Sequence, residues 1–217
     1  MRNARAMAQL PLHRVSNDRA PEVVATLCDA FHDYPVMRFV VGEAGEEYDD
    51  RLQELIGMFV AARVLLGDPM FAIEEDNRIV AVATTTPPGE RQTHPDFPAR
   101  RAATWEVLGE AAKARYEALV AIWETFSVPG LHVHLNMLGV RRSHAGRGLG
   151  RRLLEEVQAL SRGNPESTGV ALGTEDPKNV PLYQHCGYEV VGHERVTDDL
   201  ETWYFFRPDD APARPTA

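Results

Sequence analysis

Cysteine is scarce: Cys28 and Cys186 are the two in 217 residues, far apart and in no CxxC or Cys/His ligand spacing. That spacing argues against a structural zinc site, and no metal is expected. Two free, buried thiols in a reducing compartment are the plain expectation. Long hydrophobic runs are absent as well. Nothing approaches the roughly 20 consecutive apolar residues of a membrane span. The opening MRNARAMAQL carries two arginines with no long apolar core behind them. No secretory signal is read there, and the cytoplasm is the default. Positive charge is short overall, with a net charge of −9. A nucleic-acid binder usually shows a basic footprint, so this balance argues against one. Internal repeats and low-complexity tracts are also missing.

What is present alternates between strand and helix patterns. Leu12–Val15 reads as a short strand, and Pro21–Phe31 as a helix with proline at an early position. Tyr48–Leu66 repeats apolar residues at helical spacing, namely Leu52, Leu55, Ile56, Phe59, Val60, Ala62 and Val64. Met70–Glu75 and Ile79–Thr85 read as a hairpin turned by Asp76-Asn77. Pro87–Pro98 holds four prolines in twelve residues and is expected to be irregular. Ala102–Phe126 is a long helical pattern with a break near Gly109. Leu131–Val140 is the clearest strand, Leu149–Leu160 an amphipathic helix, Val170–Thr174 a strand, and Asn179–Cys186 a short helix stopped by Gly187. Tyr188–Arg195 and Thr202–Arg207 close the pattern as strands. The expectation is a mixed-sheet α/β domain over 12–207 with a helical insertion at 87–130 before the central strand. A flexible segment is expected at 1–11 and a disordered tail at 208–217.

The informative segment is the strand–loop–helix passage from Leu138, Gly139 and Val140 through Ala145, Gly146, Arg147, Gly148, Leu149, Gly150 and Arg151. Glycines at alternate positions permit positive φ and a close approach by a ligand. The first N–H groups of the following helix lack partners inside it and lie at the positive end of its dipole, which suits an anion. Arg141, Arg142, Arg147, Arg151 and Arg152 place five cations within twelve residues of an acidic chain, as a polyphosphate ligand would require. A dinucleotide fingerprint would need glycine where Arg151 stands, and a Walker loop would need a closing GK[ST]. The remaining alternative is a Gly-rich surface turn. The strand before, the helix after and the arginines together speak against it.

This passage resembles the signature loop of the GNAT N-acetyltransferases, Gln/Arg-x-x-Gly-x-Gly/Ala, with Ala145 in the place where Gln or Arg is usual. The resemblance continues in Thr174-Glu175-Asp176-Pro177-Lys178-Asn179 and Pro181-Leu182-Tyr183, ending at Gly187-Tyr188. It implies an acyl-CoA N-acyltransferase fold and acetyl-CoA as co-substrate. The pyrophosphate would be held by the loop, Thr174 and Asn179 would lie beside the pantetheine arm, and Tyr183 would protonate the leaving thiolate. A narrower likeness to puromycin-type antibiotic N-acetyltransferases rests on Ala30-Phe31-His32-Asp33-Tyr34-Pro35, Thr84-Thr85-Thr86-Pro87 and Thr202-Trp203-Tyr204. It implies a small-molecule amine acceptor.

Amide formation from a thioester needs a deprotonated amine, a polarised carbonyl and a protonated leaving sulfur. His132, His134 and Asn136 alternate along one strand and share a face. Of these, His134 best matches the histidine of serotonin-type members of the superfamily, which makes His134 the candidate base, with Glu124 a weaker one. The acidic run Glu43, Glu46, Glu47, Asp49 and Asp50 is expected to be a solvated helix start. Trp105, Trp123 and Trp203 are expected mainly in packing. The rival readings are an acyl-CoA sensor without turnover and a protein N-acetyltransferase of the same fold. Monomer and homodimer both fit the sequence.

Overall fold

A computed structural model describes residues 10–211. Seven strands form one mixed sheet: β1 (Leu12–Arg14), β2 (Met70–Glu75), β3 (Arg78–Thr86), β4 (Val133–Val140), β5 (Gly169–Thr174), β6 (Glu189–Thr197) and β7 (Leu200–Pro208). Their spatial order is β1-β2-β3-β4-β5-β7-β6. Every pairing is antiparallel except β4 with β5, which is parallel. Seven helices accompany it: α1 (Ala20–Phe31), α2 (Pro35–Val41), α3 (Tyr48–Leu66), α4 (Phe97–Leu108), α5 (Glu110–Trp123), α6 (Leu149–Arg162) and α7 (Val180–His185). Among the described residues no helix is long and apolar enough to cross a membrane, and no group of His, Cys, Asp and Glu is arranged to hold a metal ion.

The expected mixed α/β architecture is the one observed. The β2–β3 hairpin turns at Asp76 and Asn77, whose φ angles are 50° and 60°, the left-handed pair that matches strand twist. α2 escaped the sequence reading because Pro35–Val41 is short and apolar nearly all round, with Val36, Met37, Val40 and Val41 buried, so it shows no helical periodicity to detect. The pattern at 102–126 is two helices. α4 begins at Phe97, inside the expected irregular stretch, with Pro98 in its first turn, where a missing N–H does no harm. Gly109, at φ 80° and ψ 163°, then separates α4 from α5. Cys28 and Cys186 are free as expected but only partly buried. Of the expected loose ends, 1–9 and 212–217 lie outside the described residues. Within them Pro11 O accepts from Glu74 N–H, and the Asp209 carboxylate accepts from Gln158 and Ser161.

Two hydrophobic layers flank the sheet. One joins α1, α2, α3 and the α4–α5 pair through Leu27, Val40, Leu55, Ile56, Trp105 and Leu119. The other joins α6 and α7 to the opposite face through Leu149, Leu153, Leu154, Val157, Tyr183 and Phe205. α6 is therefore pinned directly beneath the end of β4. Leu153 is fully buried at this seam. Leu153→Ala is expected to lower unfolding free energy by about 2–5 kcal/mol, measured by chemical denaturation; a loss under 1 kcal/mol would show that the seam is slack.

Candidate functional site

β4 and β5 run side by side only briefly. Val133, His134 and Leu135 pair with Val170, Ala171 and Leu172, and pairing stops there. The remainder of β4, Asn136–Val140, has no partner on its β5 side, and Gly173 and Thr174 of β5 likewise face the gap. The cause is visible on the other edge of β4. Thr84 lies opposite Met137 while Thr85 lies opposite Leu135, so Asn136 is an extra residue in β4, and such a bulge bends a strand and increases its twist. The bulge is clamped by the Arg63 guanidinium of α3, which donates to Asn136 Oδ1 at 2.8 Å and also to Thr86 Oγ1. Arg141 N–H donates to Val80 O at 2.9 Å. Antiparallel alternation then turns the backbone N–H and C=O groups of Leu138 and Val140 into the gap, and those of Gly139 toward β3.

At the far end of the gap lies the glycine-rich loop. Gly146 and Gly148 have φ of 73° and 76°, and a Cβ built at either meets nothing within 4 Å. Gly148 is the N-cap of α6, and no side chain caps that helix; its first recorded helical bond is Arg152 N–H to Gly148 O at 3.2 Å. Ala145, Gly146, Arg147 and Gly148 are exposed, Leu149 is buried, and Gly150 packs against Leu138 and Val140. The helix start is thus exposed and carries no side-chain cap. All five arginines are also engaged with protein groups. Arg141 donates to Ile79 O, Arg142 faces Asp29 and Asp33, Arg147 lies 3.8 Å from Glu75, Arg151 donates to Glu155 and Arg152 to Leu10 O. What the open helix start presents is therefore chiefly backbone, with the arginines setting a local positive field.

Tyr183, on α7, is buried against Tyr188 and Phe205. Burial, reinforced by the nearby charge of Glu175 and by Cys186, raises its pKa, so the phenol keeps its proton. Asn179 is the residue before α7 and makes no side-chain cap to it; its amide donates to Thr174 Oγ1 at 3.2 Å. Thr174 Oγ1 also meets the Tyr34 hydroxyl at 2.7 Å, and that hydroxyl accepts from Glu175 N–H at 2.9 Å. Thr174 and Asn179 are thereby brought together with Tyr34, from the α1–α2 connection, a residue the sequence reading quoted only as part of a family likeness.

His134 shares its face of the sheet with His132 and Asn136, as the spacing required. Its ring stacks on Tyr204, with Nδ1 3.3 Å from the Tyr204 hydroxyl. Burial, with His132 and Arg63 adding like charge, lowers its pKa to about 4. A ring held there is neutral at pH 7. Glu124 and the acidic run are exposed. Trp105 is core, whereas Trp123 donates to Thr202 Oγ1 at 3.2 Å.

The residue that sequence reasoning passed over is Glu175, one position beyond β5. It is 7% exposed, its Oε1 accepts from Thr202 Oγ1 at 2.9 Å, and burial raises its pKa to about 7. The only available signal was an acidic residue inside the Thr174–Asn179 segment; its burial comes from β7 and α5, far away in the chain.

A family model described as the acetyltransferase (GNAT) family matches residues 24–188. Among solved structures the chain is similar to a histone acetyltransferase HPA2-related acetyltransferase of Corynebacterium glutamicum, with a TM-score of 0.63 and 19% identity over 96% of this chain and 99% of that one. It is similar to a polyamine N-acetyltransferase of Drosophila melanogaster, with a TM-score of 0.61 and 19% identity over 91% and 98% of the two chains. A mosquito arylalkylamine N-acetyltransferase-like protein gives a TM-score of 0.60 and 17% identity over 92% and 100%. At such identities the likeness is one of fold.

The two shifted groups oppose each other in stability. Between about pH 4.5 and 7 the unfolded Glu175 carboxyl is ionised while the folded one holds its proton, so this contribution is present at low pH and lost as pH rises. Glu175→Gln removes that slope, and the variant is expected to gain on the parent across this window, by about 3 kcal/mol at most. From pH 6.5 down to 4 the unfolded His134 ring takes a proton that the folded ring refuses, so its contribution is lost as pH falls, and His134→Gln flattens the acid side. Denaturation curves from pH 4 to 8 check both; a Glu175→Gln curve parallel to the parent's would show an ordinary carboxyl.

Proposed function

The chain belongs to the acetyltransferase (GNAT) family, and on that premise we propose that it moves an acetyl group from acetyl-CoA to the amine of a small molecule, within a direct ternary complex in the cytoplasm. The observation that carries this reading is the parting of β4 from β5 after Leu135 and Leu172, with an uncapped helix start at one end of the gap.

In this reading the donor's pyrophosphate accepts from backbone N–H groups of the loop from Ala145 to Arg151, through Gly146, Arg147, Gly148, Leu149 and Gly150. The thioester arm lies along the unpaired edge of β4, where the backbone of Leu138 and Val140 turns outward; the Gly139 α-carbon packs against Leu27 and Ala30 and lets α1 close over the strand. Thr174 and Asn179 border the arm from the β5 side. The amine nitrogen attacks the thioester carbonyl, a C–N bond forms, and the C–S bond breaks. Tyr183 supplies a proton to the departing thiolate. The overall balance is RNH3⁺ + CH3CO–SCoA → RNHCOCH3 + CoASH + H⁺. His134 is assigned here to orient Tyr204 as a neutral ring.

A small amine acceptor is supported by the names of the Drosophila and mosquito structures, which specify polyamine and arylalkylamine. α4 and α5 over the acceptor side of the sheet agree with enclosure of a small molecule.

Thiol release from acetyl-CoA, followed against agmatine, spermidine, tyramine, an aminoglycoside and puromycin, tests the reading. At least one amine is expected to drive release. Tyr183→Phe is expected to lower kcat by roughly 10²-fold or more while a CoA-induced thermal shift persists. Binding of CoA without release by any amine would replace the enzyme reading with that of a sensor.

A further inference from the structure

Glu175 is a buried carboxyl with no cation beside it. Thr202 reaches it from β7, Trp123 stands behind Thr202 from α5, and Tyr34 and Tyr183 approach from the α1–α2 connection and α7. Those two phenols are the titratable groups that face it, and among the described residues no Arg, Lys or His forms an ion pair with it. An ionised carboxylate in such a place is costly unless something positive meets it. A purely structural acceptor for Thr202 would not need a charge, and a neutral amide would serve.

The place where a positive group fits is also visible. Gly173 is the exposed residue of an otherwise buried strand, and it lies in the part of β5 that has left β4. A methyl group added to it would touch Glu175 Oε1 at 3.9 Å and Tyr204 Cδ2 at 3.8 Å, both ordinary contacts. The open surface over Gly173 therefore has a carboxylate on one side and an aromatic edge on the other. It occupies the same face of the sheet as His134, and Tyr204 in turn lies stacked between His134 and Phe126.

Resting on the acetyl-transfer reading, we infer that the acceptor's primary aliphatic ammonium sits over Gly173 against Glu175, and that the Glu175 carboxylate takes its proton before attack. The step is RNH3⁺ + Glu175–COO⁻ → RNH2 + Glu175–COOH. The freed nitrogen lone pair then forms the new C–N bond, the thiolate receives its proton from Tyr183 as the C–S bond breaks, the nitrogen's second proton restores the Tyr183 phenol, and Glu175 returns its own proton to solvent. Base and acid thus sit close enough for the charge of one to hold the proton of the other.

The experiment compares Glu175→Gln with Thr202→Val, using acetyl-CoA and the best amine of the panel. Glu175→Gln is expected to lower kcat/KM by about 10²–10⁴-fold, to abolish the rise of rate with pH near neutrality, and to keep the CoA thermal shift. Thr202→Val removes a hydrogen bond that favours the ionised carboxylate, so it is expected to keep most of the rate and to move that rise to higher pH. Equal losses in the two variants, or a Glu175→Gln protein that keeps both rate and rise, would overturn the assignment and leave acetyl transfer standing. Independently of turnover, propylammonium added to the CoA-bound protein carrying ¹³C-labelled glutamate carboxyls should move one resonance that Glu175→Gln lacks. No movement would sink the inference; movement in a protein that releases no thiol with any amine would sink the transfer reading alone.

Discussion

The arrangement of this site depends on one extra residue. Asn136 has no counterpart on β3 between Thr84 and Thr85, so the side-chain alternation of β4 reverses there. Before it, Val133 and Leu135 face α6; after it, Met137 faces the α1–α3 layer while Leu138 and Val140 face α6. The strand that leaves the bulge no longer follows β5. An open edge of backbone would normally invite pairing with another chain. Here it is short, flanked by two layers of helices, and available to an extended ligand that pairs with it. Arg63 holds the bulge by bonding Asn136 and Thr86 together, and it is itself 3.2 Å from the buried Asp68 carboxylate, which Arg91 also engages. A chain of paired charges running from the loop after α3 therefore fixes the one irregularity on which the gap depends.

Charge in the site is distributed by environment more than by residue type. His134, which would carry charge near neutrality in water, is kept neutral by burial and by Arg63. Glu175, which in water would be fully ionised, is held near the point where it can both release and accept a proton. Tyr183 is moved upward as well and keeps its proton. Groups displaced apart in this manner mark where proton transfers are separated. The Arg-rich loop shows the complementary economy: its cations are tied to Asp29, Asp33, Glu75 and Glu155, which leaves the helix amides as the directional donors and the arginines as a background field.

What the sequence disclosed follows from the range of the interactions concerned. The glycine loop, the amphipathic α6, the Asp76-Asn77 turn and the Asn179–Tyr183 pair are set by residues within a few positions of each other, and local chemistry sufficed to place them. α2 escaped because a short helix buried nearly all round has no periodic face. The end of α4 was marked by Gly109, but its start was hidden by prolines that the first helical turn tolerates. The protein partners of the loop's arginines were not legible, because Asp29, Asp33 and Glu75 come from distant segments. The bulge was invisible for the same reason: an extra residue exists only relative to the strand that faces it. The family likeness reached Thr174, Asn179 and Tyr183, and it passed over Glu175 in the same segment, since nothing in Thr174-Glu175-Asp176 says which of two acids is buried.

That difference between neighbours bears on mechanism. Asp176 accepts from Lys178 N–H and caps a turn at the surface, while Glu175 is buried beneath β7, and among the described residues no basic side chain forms an ion pair with it. Folding has left an anion-forming group against an open glycine floor, within the electrostatic reach of a protonated phenol and beside the edge that β4 presents. A structural glutamate in a core is ordinarily matched by an arginine or replaced by an amide. The missing cation is the feature of this site that its own residues do not explain, and an amine that arrives charged and must leave uncharged supplies it.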